Sequence, residues 1–242
     1  MARSDRDRGS REQAREIAAM FDAVAPRYDL LNRVLSLRRD VGWRKRAVAL
    51  ARLGPDEAAL DVGVGTGDLA FDLLAASAAS SRVVGVDLSE RMLELVRARA
   101  ATTEFGSRFE ARPADALALP FDDASFDRVL AGFAVRNFGD LDTGLREMRR
   151  VLKRGGRAVI LEFSHPPSSL IRPLYSLYLH QVTPRLAALF GGDVDAYRYL
   201  PRSIDAFPGA EGLAERLRAA GFASVRFERL MFGATAIHVA EA

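Results

Sequence analysis

The chain has 242 residues, of which 49% are hydrophobic and 28% charged, with a formal net charge of +3. That composition suits one globular domain with a sizeable core, and so small a basic excess gives no argument for a nucleic-acid partner. There is no cysteine, which excludes disulfides and thiolate-bound metals; the three histidines, His165, His180 and His238, have no ligand-type spacing, so no metal is expected. No run approaches the ~18 apolar residues of a membrane span. The charged start MARSDRDRGSREQARE lacks the apolar core of a signal peptide. The expected location is the cytosol.

In chain order, residues 1 to about 12 read as a frayed polar tail. Apolar residues at Ile17, Met20, Phe21 and Val24, then Leu30, Leu31, Val34 and Leu35, have helical spacing, and Pro26 breaks this region. A further helical segment, Trp43 to Leu50, runs into Gly54-Pro55. The texture then changes. Short apolar runs (ALDVGVG, RVVGVDL, RFEARPAD, DRVLAGFAV, RAVILEFS) alternate with amphipathic helices. This alternation predicts a doubly wound, mainly parallel α/β sheet of the Rossmann-like kind. After His165 comes a helical insert rich in leucine and tyrosine, to about Phe190. A last helix, Gly212 to Ala220, precedes two strands, SVRFERL and TAIHVAE, close enough to pair as a hairpin through Phe232-Gly233. The expected organisation is one domain: a helical cap (1–53), a core (54–165), a lid insert (166–210), and a final helix with a hairpin (211–242).

The chemistry sits first in LDVGVGTGDLA, Leu60 to Ala70, where a strand ends in a glycine-rich turn and a helix follows. Gly63, Gly65 and Gly67 let the backbone approach a ligand closely. In such sheets ligands bind beyond the carboxyl ends of the strands, at the switch point of strand order. The next strand ends in Asp87, placed to accept both hydroxyls of a ribose, with helix capping as a compatible role. After the third strand, Ala114-Asp115-Ala116 could meet an adenine, although a loop aspartate has plainer uses. The glycines fall G-x-G-x-G, not the G-x-G-x-x-G of a dinucleotide site, which disfavours a nicotinamide oxidoreductase. Asp61 before the loop and Asp68 after it would repel a pyrophosphate. They suit the ammonium and sulfonium of S-adenosylmethionine.

These motifs, together with VLKRGGRAVILEF, resemble class I methyltransferases. More specifically, FDAVAPRYDLLNRVLS, the stretch from PFDDASFDRVLAGFAVRNFGD to LEFSHP, YRYLPRSIDAFP and GATAIH resemble the quinone-biosynthesis C-methyltransferases. That is the family of demethylmenaquinone and polyprenyl-benzoquinol methylases. The resemblance is collinear from about Phe21 to His238. It implies donor contacts at Thr66, Asp87, Asp115 and Ala116; the glycine loop adds Asp61, Gly63 and Gly65, and the end of the second strand Leu88, to the expected donor site. Two positions depart from the family pattern: Gly132 stands where a serine is common, and Val41 where an arginine is usual beside Asp40.

The resemblance implies C-methylation of a prenylated quinol ring, of the menaquinone or ubiquinone type, by orientation and electrostatics without a metal. The expected catalytic residues are Arg136 and Asn137 after the fourth strand, and Tyr28, which with Asn32 would close over the acceptor. The plainer alternatives are a structural ion pair of Arg136 with Asp140 or Asp142, and a half-buried cap residue at Tyr28. His165 reads as a loop residue rather than a base. The insert SLIRPLYSLYLHQVTPRLAALF is expected to form a lid and an apolar channel with transient membrane-surface contact. A homodimer, or a donor-binding scaffold without catalysis, stays open.

Overall fold

The computed structural model describes residues 2–25, 33, 36, 38–185 and 194–242. Seven strands form one sheet: β1 (Ala58–Val62), β2 (Arg82–Asp87), β3 (Phe109–Pro113), β4 (Phe126–Gly132), β5 (Leu152–Phe163), β6 (Ser224–Leu230) and β7 (Thr235–Glu241). Their order is β3-β2-β1-β4-β5-β7-β6. The first five run parallel, and β7 enters antiparallel between β5 and β6. The doubly wound sheet expected from the sequence is therefore present. So is the hairpin, whose strands meet through the short turn Met231–Gly233.

Alternation along each strand assigns its side chains to the two faces of the sheet. Ala59, Val159 and Leu161 pack on one face, against Trp43, Leu73, Leu93 and Val96 of helices α2 (Arg39–Ala51), α3 (Asp68–Ala76) and α4 (Glu90–Ala101). Leu60, Ala158 and Ile160 pack on the other, against Leu145, Met148, Leu213 and Leu217 of α5 (Leu141–Val151) and α8 (Gly209–Ala219). Leu145 and Met148 are fully buried, and each contributes roughly 1.5–3 kcal/mol. Ser89 and Asp140 start α4 and α5 by accepting from the N–H of Met92 and Thr143, as helix N-caps do. Chain reversal between β1 and β4 leaves a crevice at their carboxyl ends, where the site lies.

Three boundaries differ from expectation. Helix α1 spans Ala2–Val24 and includes the stretch read as a frayed tail. The last helix begins at Gly209, directly after Pro208, rather than at Gly212. The insert comprises α6 (Ile171–Leu177), a π turn at Tyr178–Val182 and, beyond residues 186–193, α7 (Val194–Ala206). His238 ties β7 to α8 through its Nε2 and the Ala210 carbonyl, 2.8 Å apart. Burial pushes its pKa down to about 4, so it serves as a neutral strut far from the crevice.

Candidate active site

The loop after β1 turns into α3 through three glycines with positive φ, at 74°, 53° and 87° for Gly63, Gly65 and Gly67. Two are confined by packing. A Cβ on Gly63 would lie 2.4 Å from that of Ala134, and one on Gly67 would lie 2.5 Å from Val96 Cγ2. A Cβ on Gly65 would meet no protein atom within 4 Å. It would point into the crevice, so the bare Gly65 backbone is open to a ligand.

A cavity of about 760 Å³ runs beside this loop, bordered by Gly63, Gly65, Asp87, Leu88, Asp115, Ala116 and Asn137. Helix α1 roofs it with Ala14, Ile17, Ala18 and Phe21. Asp87 Oδ2 accepts from the Gly65 N–H and Oδ1 from the Ser89 N–H, both at 2.9 Å. These bonds, with a further one from the Leu88 N–H, fix the carboxylate at the cavity wall and leave it a lone pair for a ligand. Burial is the main reason its pKa lies above the ordinary value. Asp115 accepts from the Leu117 N–H at 2.9 Å, and Leu88 stands at the rim, 38% exposed.

A second, more polar cavity continues from Gly63 and Gly65 to Asp61, Thr66, Asp40 and Arg44. Asp61 is fully buried, and neither of its oxygens has a hydrogen-bond partner of good geometry. Burial, aided by the nearby Asp87 charge, pushes its pKa up to about 7, with the Ala70 N–H opposing only in part. Such a carboxylate is costly to hold without a cationic partner. Asp68 borders the same cavity, but unlike Asp61 it is already paired, with Arg44 at 2.9 Å and Arg99 at 2.7 Å.

A third cavity, of about 770 Å³, opens on the far side of Phe133. Its lining is aromatic and apolar (Trp43, Phe163, Tyr175, Tyr178, Leu179, Met231), with Asp40, Arg44 and Arg136 as its charged members. Phe133 borders all three cavities. It holds a left-handed φ of 57°, a strained conformation of the kind found where function dictates backbone geometry. Trp43 and Phe163 pack its ring at centroid distances of 6.3 and 4.8 Å.

The structure brings Arg136 and Asn137 together at this junction. Arg136 does not pair with Asp140 or Asp142. Asp140 caps α5, and Asp142 binds Arg216. Among the described residues Arg136 pairs with Glu162, at 2.9 Å, with both side chains buried. Strand adjacency explains the choice: Gly132 lies opposite Leu161 in the β4–β5 register, so the next residues meet. Arg136 also donates to the Phe133 carbonyl and lies over the Phe163 ring. Asn137 Oδ1 accepts from Tyr199 Oη at 3.0 Å. Tyr28 and Asn32 fall outside the described residues. His165 bonds the Phe207 carbonyl at 3.0 Å, a structural contact as expected. Gly132 borders both donor-side cavities, whereas Val41 borders none of the three.

The family model for the ubiE/COQ5 methyltransferase family matches residues 8–242. The chain belongs to this family. Among the methyltransferase's relatives, the demethylmenaquinone methyltransferase of Thermus thermophilus is 48% identical over 92% of this chain and 99% of its own length. The ubiquinone/menaquinone biosynthesis C-methyltransferase of Geotalea uraniireducens is 41% identical over 95% of this chain and 97% of its own. A solved SAM-dependent methyltransferase of Thermotoga maritima superposes with a TM-score of 0.65 at 22% identity, covering 92% and 98% of the two chains. The cyclase SpnF superposes with a TM-score of 0.72 at 19% identity, covering 94% and 96%, so this fold by itself does not specify a reaction.

Several residues at the methyltransferase's cavities carry no sequence signal of that role. Ile17 and Phe21 read as an ordinary amphipathic stripe. Tyr175 and Tyr199 lie in the insert, and their contacts exist only once it folds back over β4 and β5. Glu162 reads as one more residue of a strand. The family stretches containing Tyr199 and Glu162 were visible as motifs, without any indication of which side chain mattered.

Proposed function

We propose that the protein transfers a methyl group from S-adenosylmethionine to a ring carbon of a prenylated quinol, with demethylmenaquinol as the acceptor. The observation that carries this reading is the meeting of a polar donor cavity and an aromatic acceptor cavity at one side chain, Phe133. The donor fits on two counts. The unpartnered Asp61 suits its ammonium, and the open face of Gly65 leaves room for its backbone-side contacts. Asp87 would take the ribose, and Asp115 with Ala116 the adenine. Bound there, the donor supplies an electrophilic methyl. The protein then has only to align a ring carbon with it and favour the phenolate, a role for Arg136 and Asn137. The names of the Thermus and Deinococcus radiodurans relatives, both demethylmenaquinone methyltransferases, favour a naphthoquinol over a benzoquinol. The test is mass spectrometry of each quinol after incubation with protein and deuteromethyl donor. A labelled methylnaphthoquinol is expected, and an unmodified ring with donor still bound would replace this reading by a silent scaffold.

Asp87→Ala should weaken donor binding about tenfold or more, since hydrogen bonds to a charged group contribute ~1.5–3 kcal/mol. It also strips the Gly65 and Ser89 N–H groups of their acceptor. Calorimetric titration of the folded variant reads this directly, and unchanged affinity would remove Asp87 from the site.

The acceptor's isoprenoid tail gives a second face of the molecule a role. Among the described residues, the exposed large apolar side chains other than Leu88 are Leu170, Leu174, Leu177, Val182, Met231 and Phe232. Leu170, Leu174 and Phe232 are 81%, 68% and 78% exposed. The turn at Gly233 packs on Pro167, and Tyr175 Oη bonds the Ala234 carbonyl, so these side chains share one edge. Met231 on that edge also borders the acceptor cavity. The cavity therefore opens toward the apolar edge, which fits a lipid bilayer presenting the tail. Leu174→Glu combined with Phe232→Asn should cut co-sedimentation with phosphatidylglycerol vesicles about tenfold or more, from the transfer free energy of two large side chains. Turnover of a short-tailed soluble acceptor should stay within about twofold, because neither side chain borders the cavity. Undiminished vesicle binding would exclude this edge.

A further inference from the structure

We propose that Asp40 is the general base of ring methylation, taking the proton that leaves the methylated carbon. This rests on the quinol C-methyltransferase reading above. The argument is one of position. The methyl group must pass from the polar donor cavity to the aromatic acceptor cavity, and three described residues border both: Asp40, Arg44 and Phe133. A guanidinium has no acceptor lone pair, and neither has a phenyl ring. Asp40 is also the one carboxylate or imidazole among the described residues of the acceptor cavity.

Its geometry is that of a fixed group. Asp40 is 4% exposed on α2. Oδ1 accepts from Ser36 Oγ at 2.5 Å, and Oδ2 from Arg44 Nη1 at 2.6 Å. Arg44 is held in turn by Asp68 and Asp72 of α3. Burial works to raise the Asp40 pKa. The Ser36 and Arg44 hydrogen bonds and the Arg44 charge outweigh it and hold the group below the ordinary carboxylate value. Asp40 is thus ionised at neutral pH, and with Ser36, Arg44 and the Val41 N–H as its donors the carboxylate still keeps a lone pair for a proton.

A weak base is sufficient for this step. The ring carbon forms its new C–C bond with ring π electrons as the C–S bond of the donor breaks, leaving that electron pair on a neutral thioether. The carbon now bears both hydrogen and methyl, next to a ring carbonyl. Breaking its C–H bond returns the electron pair to the ring, and the proton passes to an Asp40 oxygen and then to solvent. Regained aromaticity drives the transfer, so Asp40 does not need the basicity required to deprotonate a phenol.

The test uses the whole purified protein, S-adenosylmethionine and a naphthoquinol carrying hydrogen or deuterium at the methylated carbon. The wild type should turn over both at the same rate, with methyl transfer limiting. Asp40→Asn should slow turnover by about 10²-fold or more, the range for loss of a general base, and should now turn over the deuterated ring more slowly than the protiated one. Its donor affinity should stay within a few-fold. Asp40→Glu should recover most of the rate and, where still slowed, show the same isotope effect. It carries the test if the asparagine variant does not fold. Wild-type rates in Asp40→Asn, or a slowed folded variant that treats both isotopes alike, would overturn the assignment and leave Asp40 as a packing residue. A wild type that methylates neither ring would instead overturn the functional reading itself.

Discussion

Arg136→Ala is expected to lower turnover about 10²-fold or more, the range for one lost electrostatic stabiliser, with donor affinity within a few-fold. The guanidinium borders the acceptor cavity and is 5% exposed, so its charge acts on a bound ring oxygen with little screening. The proposed donor contacts Asp61, Asp87 and Asp115 border the other two cavities and not this one. The Glu162 pairing adds a second expectation. Removing the arginine leaves a buried carboxylate, itself 1% exposed, without its partner, and breaking such a pair costs ~3–5 kcal/mol. Arg136→Ala should therefore melt earlier as well. The double variant Arg136→Ala with Glu162→Gln separates the two effects. It should regain most of the lost stability and none of the lost turnover. Arg136→Lys should rescue poorly, since a point charge does not reproduce a planar fork. Recovery of turnover in the double variant, measured by initial rates well below its melting temperature, would assign Arg136 to the scaffold alone.

Asp61→Asn should act in opposite directions on the free and the liganded protein. In the fold Asp61 titrates at about 7, against 3.8 for an ordinary aspartate. Between those values the native state binds more protons than the unfolded chain. Its contribution to stability therefore falls as pH rises through that window, and the penalty is fully present above pH 7. Its size is on the order of 4 kcal/mol. The asparagine variant escapes it. At pH 8 and without donor it should melt later than the wild type, and the decline of stability from pH 4 to 7 should flatten. Donor binding should weaken tenfold or more, because the ammonium loses its anionic partner. In the wild type at pH 6, binding should release a proton as Asp61 ionises, and affinity should rise from pH 6 to 8. Calorimetry in buffers of different ionisation enthalpy counts that proton. Uptake, or no exchange, would place the ammonium elsewhere.

The parts of this molecule that were legible in the sequence are those encoded locally. Three glycines flanked by an apolar run and a helix, and an acid at the end of the next strand, mark the glycine loop where two adjoining cavities meet, Asp87 bordering one and Asp61 the other. Alternating strands and helices described the parallel part of the sheet, and turn residues described the hairpin. What stayed hidden depends on contacts between distant segments. Asp140 and Asp142 were natural partners for Arg136 by proximity along the chain, but β4 and β5 pair side by side and deliver Glu162 instead. The pairing of Asp68 with Arg44 likewise exists only once α2 packs against α3. The apolar residues of α1 look the same whether they cover a core or a cofactor, so the roof over the donor cavity has no signature of its own.

The placement of Phe133 separates two walls built from different parts of the fold. On one side the floor of the donor cavity is made of strand ends and the glycine loop, whose backbone angles tolerate few exchanges. On the other, most of the acceptor cavity comes from α2 and the insert, through Trp43, Tyr175, Tyr178, Leu179 and Leu200, which the sheet does not need for its own hydrogen bonding. Substitutions there can reshape the accepted ring or tail while the methyl supply stays intact. If the proposed acceptor cavity is the right one, exchanges in these two peripheral segments should change which acceptor is taken while donor binding is left intact, with Phe133, Arg136 and Asn137 as the common boundary.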